Sequence, residues 1–155
     1  MDPFSIIQKK YAEAVSGIEE EWFNTIDTRW YDHVSALPAD QRTTYLIVIL
    51  HTQTVNGGFH QYFINGYGQF ANETIAALET IGASAKAQLL GRALRLVNAE
   101  RLPDAVFRAL LLKKKFEPLL GDDLDTPLNE LDKEYYADGP LDHIWRLLNA
   151  YLKTR

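Results

Sequence analysis

The sequence predicts an all-α fold, a single compact domain of about seven to nine helices. Three observations predict it. Prolines stand where helices can begin. Apolar residues recur at spacings of three and four. The one stretch that looks like a strand has no second strand to pair with.

The chain has 155 residues, the usual size of one domain. A chain of this length buries about 70% of its unfolded surface and needs no covalent staples. Five of the six prolines (Pro3, Pro38, Pro103, Pro127 and Pro140) are placed to open helices, since the missing N–H is unpaired there anyway. Asp2, Thr126 and Gly139 precede three of them as candidate N-caps. Gly82 and Gly121 fall where helices can stop.

In chain order, Phe4, Ile7, Tyr11, Ala14, Ile18, Trp22, Ile26, Trp30 and Val34 form one stripe, predicting a long first helix bent at Gly17. Residues 43–50 are rich in β-branched side chains and read equally as a buried strand. Pro38-Ala39-Asp40-Gln41 is a good helix start, however, and a lone strand cannot satisfy its own backbone. The segment is therefore expected in a central helix, apolar all round. Ala85, Leu89, Ala93 and Val97 repeat the helical spacing, as do Val106, Phe107, Leu110 and Leu111, and then Leu141, Ile144, Trp145, Leu148 and Tyr151.

Composition narrows the function classes. There is no cysteine, which excludes disulfides and thiolate chemistry. No apolar run approaches a membrane span, and the N-terminus carries no signal-peptide pattern, so a cytoplasmic location is expected. His33, His51, His60 and His143 lack metal-ligand spacing, and no nucleophile motif is present. Neither an enzyme nor a bound metal or cofactor is expected. The net charge of −5 argues against direct nucleic-acid binding. That charge is uneven: residues 117–142 hold nine acids against Lys133 alone. Asp122, Asp123, Asp125, Glu130, Glu134 and Asp138 are the candidate partner-binding surface, although an ordinary solvated acidic face gives the same pattern.

The distinctive segment runs from Thr54 to Phe70. Asn56-Gly57-Gly58 adopts unusual backbone angles cheaply and should end the preceding helix. Phe59, Tyr62 and Phe63 then share one face of a short helix, with His60 between them, and Gln61 and Asn65 share another. Two readings stay open. The turn packs three aromatics into the core, with Asn56, Gln61 and Asn65 bonding its orphaned backbone groups. Alternatively, those amides line a cleft beside exposed glycine N–H groups, a small-ligand or enzymatic site for an anion.

Asn56-Gly57-Gly58-Phe59-His60-Gln61-Tyr62-Phe63-Ile64-Asn65, followed by Glu73-Thr74-Ile75-Ala76-Ala77-Leu78 and Ile81-Gly82-Ala83, resembles the core signature of a bacterial family, a domain of unknown function named after a DNA-mimic protein. The likeness extends from about residue 40 to the last helix, with Leu131–Tyr136 and Tyr151 in the expected order. Residues 1–37 form the N-terminal helical segment packed on that core. Where members often carry Glu shortly before the Asn-Gly-Gly, this chain has Gln53. The resemblance implies an all-α fold and a non-catalytic interaction protein, acting through an acidic DNA-like surface on a DNA-binding protein; self-association is compatible with it. About 30 Å of duplex carries some 18 phosphates, so a net charge of −5 must be concentrated on one face to imitate it.

Overall fold

The computed structural model describes residues 3–113 and 122–155, the side chain of Asp122 excepted. Among these residues there are eight α-helices and no strand. They are α1 (Ser5–Val15), α2 (Arg29–Ala36), α3 (Ala39–Ile64), α4 (Ala71–Thr80), α5 (Ser84–Val97), α6 (Asp104–Leu112), α7 (Asp125–Ala137) and α8 (His143–Lys153). Short 3₁₀ turns cover Glu20–Asn24, Tyr67–Phe70 and Asp122–Leu124. No described helix is long and apolar enough to cross a membrane.

Helix α3 is the centre, with α1, α2, α4, α7 and α8 packed around it. Thr43 to Ile47, Ile49, Leu50 and His51 are all buried, so the ambiguous segment is helical and enclosed. Its β-branched content is accommodated locally. The Thr44 hydroxyl donates to the Asp40 carbonyl at 2.8 Å, and Thr52 makes the same bond to Val48. Back-bonding of this kind satisfies a threonine inside a helix, and tertiary burial overrides the strand preference.

The N-terminal stripe is not one helix. Gly17 takes φ 93°, in the left-handed region, and Ser16, Glu19 and Thr25 are extended. The chain therefore breaks after Val15, turns through Glu20–Asn24 and restarts at Arg29. Ile26 fits the spacing yet is 66% exposed, because a periodic pattern carries on through residues that are not helical. Trp30 fastens α2 to the centre. Its indole N–H donates to the Tyr45 hydroxyl at 2.9 Å, and its ring meets the edges of Phe23, Tyr67 and Phe70.

The punctuation is partly as expected. Pro38 and Pro103 sit at the N-cap of α3 and α6, in extended conformation. Thr126 lies inside the first turn of α7 rather than capping it, and α8 begins at His143, three residues beyond Pro140. Gly82 (φ 86°) closes α4: Ala83 N–H reaches the Leu78 carbonyl at 2.8 Å and Gly82 N–H reaches Glu79 at 3.1 Å. That pair of bonds is a Schellman motif. Gly121, Glu117 and Asp2 lie outside the described residues.

Candidate functional site

Gly57 and Gly58 break α3 into two arms. Gly57 has φ −151° and ψ 20°, and Gly58 has φ 75° and ψ −178°. Each glycine is required by a different neighbour. A Cβ on Gly58 would run into the Asp132 carboxylate, and one on Gly57 would collide with the Gln61 side chain. The kink swings Phe59, Tyr62 and Phe63 inward, where all three are buried. Phe59 meets Tyr135 edge-on at 5.8 Å, and Tyr62 meets Phe63 at 5.3 Å.

A broken helix leaves carbonyls on one side and amides on the other without partners. On one of the two readings the turn's own amides bond these groups. Among the described residues those amides bond side chains, and helix α7 supplies two of the backbone partners. Asp132 accepts the Phe59 N–H at 2.9 Å, and the Tyr136 hydroxyl donates to the Val55 carbonyl at 2.7 Å. These two side chains lie four apart on one helix, so one face of α7 braces both ends of the kink. Burial pushes the Asp132 carboxyl above the usual carboxylate range, opposed by the Phe59 N–H bond and by nearby His60.

Asn56, Gln61 and Asn65 bond to one another through Gln53. Gln61 and Asn65 each donate to the Gln53 side-chain oxygen, at 3.0 and 2.9 Å, and Asn56 donates to Gln61 at 3.2 Å. The Gln53 side-chain oxygen is thus the shared acceptor for Gln61 and Asn65. A cavity of about 570 Å³ reaches this turn at Asn56, between Val55, Leu141 and Trp145. His60 is half-buried. The Nδ1 of His51 lies 2.7 Å from the Tyr135 hydroxyl, and its ring meets Trp145 at 4.8 Å. Burial pulls the His51 pKa down to about 4, aided by the charge of Lys86.

The acidic segment divides into two parts. Along α7, bases answer the acids: Lys133 lies 3.0 Å from Glu130, Arg92 lies 3.1 Å from Glu134, and Lys86 lies 2.9 Å from Asp138. Lys86 is itself buried, with its ammonium 4.4 Å from the centre of the Tyr135 ring. Asp142 pairs with Arg146. Ahead of these, Asp123 and Asp125 are exposed and form no ion pair among the described residues. The side chain of Asp122 lies outside the described residues. Among the described residues, the unanswered charge is thus at the entry to α7, not along its length.

The sequence pattern gives no role to Asp132, Tyr136 or Lys86, and marks Gln53 only as a departure from the resemblance. A signal for Asp132 exists: it stands beside Leu128, Leu131 and Tyr135, the buried face of α7, where an acid needs a partner. No comparable signal marks Lys86.

The chain matches the protein-family model described as DMP19-like protein over residues 35–155. Comparison with curated proteins and with solved structures finds no match.

Proposed function

The chain belongs to the DMP19-like family, and from that premise we propose that it is a non-catalytic interaction module, whose acidic edge competes with DNA for a DNA-binding protein. The observation carrying this reading is the pair Asp123 and Asp125, exposed at the head of α7 without a described ion-pair partner. Glu130 stands further along the helix, about 140° round from Asp125, largely exposed and paired among the described residues with the exposed Lys133. Such a surface pair contributes little and yields readily to an incoming arginine.

Magnitude sets the scale of the mimicry. An α-helix of 13 residues is about 20 Å long, and duplex of that length carries roughly 12 phosphates. This edge offers three or four carboxylates. It therefore answers a few basic side chains at the centre of a DNA-binding face rather than the whole of it. Arginine forks suit carboxylates and phosphates alike, which is the chemical basis of the substitution.

The test replaces Asp122, Asp123 and Asp125 together by Asn and compares capture of proteins from the source cells on the immobilised chain. The expected result is weaker capture by the variant, with unchanged thermal melting and a fall in wild-type capture as salt is raised. Capture indifferent to both the substitution and the salt rejects the reading.

A further inference from the structure

The cavity that reaches the kink at Asn56 plays no part in the acidic edge. Its walls come from α3, from α8 and from the turn that enters α8. At about 570 Å³ it falls within the size range of small-molecule sites. The acidic edge stands at the far end of α7, a helix of 13 residues and so about 20 Å long. The two surfaces can therefore be tested apart.

One part of the lining is apolar. Val55, Leu141 and Trp145 converge on the cavity. Leu141 is 44% exposed, and Trp145 is half-buried with the His51 ring edge-on against it. Single exposed apolar residues are ordinary on a protein surface. These three share one concavity, which is what an apolar ligand body requires.

The polar part of the lining has one sign. Among the described residues, Asp142 is the lining group that carries a charge at neutral pH. His51 faces the cavity uncharged, and its ring is held by the Tyr135 hydroxyl and the Leu141 backbone. Thr52 gives its hydroxyl proton to the Val48 carbonyl. Asn56 gives an N–H to Gln61, which leaves its side-chain oxygen without a described donor. Asp142 pairs with Arg146 at 3.0 Å, one turn on and 70% exposed. Surface pairs of this kind are weak and yield to a competitor. Asp142 precedes α8, and its full charge outweighs the half-charge of that helix N-terminus. The buried Lys86, whose charge is felt at His51, is answered by Asp138.

We propose that this cavity binds a small organic cation, an ammonium group on an apolar stem. The stem lies along Val55 and Leu141. The ammonium meets the Asp142 carboxylate, with the Asn56 oxygen and the Trp145 ring as further acceptors, since an aromatic face attracts a cation. Anion binding, the other ligand chemistry the glycine turn suggests, has the wrong sign for this lining.

Titration of the whole purified chain with n-hexylammonium chloride at neutral pH, followed by NMR, tests this. The indole N–H signal of Trp145, assigned by its loss in Trp145→Phe, should shift saturably. The backbone amides of Asn56 and Leu141 should move with it, at one ligand per chain. Hexanoate and hexanol, which carry the same stem without the positive charge, should bind at least about threefold more weakly. Asp142→Asn should weaken hexylammonium binding about two- to fivefold with unchanged thermal melting. Arg146→Gln removes the competing cation and should tighten it, an effect of opposite sign that a loss of structure does not produce. Shifts centred on Trp22 or Trp30, or no saturation, overturn the proposal. So does hexanoate binding as tightly as hexylammonium, and so does affinity indifferent to both substitutions.

Discussion

Gly58 shows how one residue type can be demanded twice. Its φ of 75° is disfavoured for any residue with a Cβ, and the space a Cβ would take is filled by Asp132. Gly58→Ala should therefore cost about 2–4 kcal/mol, combining left-handed strain with overpacking. Gly57→Ala should cost less, since its φ of −151° is open to other residues and only the Gln61 contact opposes it. Urea midpoints of the two variants measure this, and a Gly58→Ala loss below about 0.5 kcal/mol would contradict it. His51 makes a second prediction at this scale. Its folded pKa, about 4, lies below its ordinary value of 6.5, so the unfolded chain takes up the proton first as pH falls. The stability it contributes is complete above pH 6.5 and is lost between there and pH 4, by no more than about 3 kcal/mol. Asp132 acts in the opposite sense, because its raised pKa favours the folded state as pH falls toward the carboxylate range. His51→Gln should flatten the fall between pH 6.5 and 4; a melting temperature with the same pH profile in both proteins would contradict this assignment.

At the scale of elements, α7 is the brace of the kink. Asp132→Ala removes the acceptor for the Phe59 amide and should cost about 1–2 kcal/mol, as losing a helix cap does. Asp132→Asn keeps an acceptor and should recover most of that loss; equal losses in thermal or urea melts would show that the contact is not a cap. The break itself is legible in the sequence, because Asn56-Gly57-Gly58 states it locally and the inward aromatics follow by spacing. Its brace is not legible, because Asp132 and Tyr136 stand more than seventy residues away, where only the fold brings them near. The N-terminal segment shows the converse. Its spacing of three and four runs from Phe4 to Val34, but periodicity does not register a positive φ at Gly17. One of the two readings makes the turn amides caps, because orphaned backbone groups need partners. That need is real and is met from α7, which leaves Gln53, Asn56, Gln61 and Asn65 to one another.

For the whole molecule, the sum of charge is a poor guide to its distribution. Nine acids in residues 117–142 suggest a continuous negative surface. The fold sets Arg92 and the buried Lys86, both on α5, against Glu134 and Asp138, and turns Asp132 inward. Among the described residues, what is left is a short edge at the head of α7. The sign of that edge can be read from the sequence; its extent cannot, because ion pairs across helices depend on packing. A short edge predicts competition that is local, salt-sensitive and limited to proteins whose basic face accepts few contacts. The most direct measurement is displacement. The whole chain is immobilised, a bound protein from the source cells is purified, and short duplex DNA is added at rising concentration. The captured protein should bind the duplex by itself, and the duplex should release it from the chain in proportion to its occupancy of the DNA. A captured protein that stays bound in saturating duplex, or that has no affinity for DNA, would contradict it.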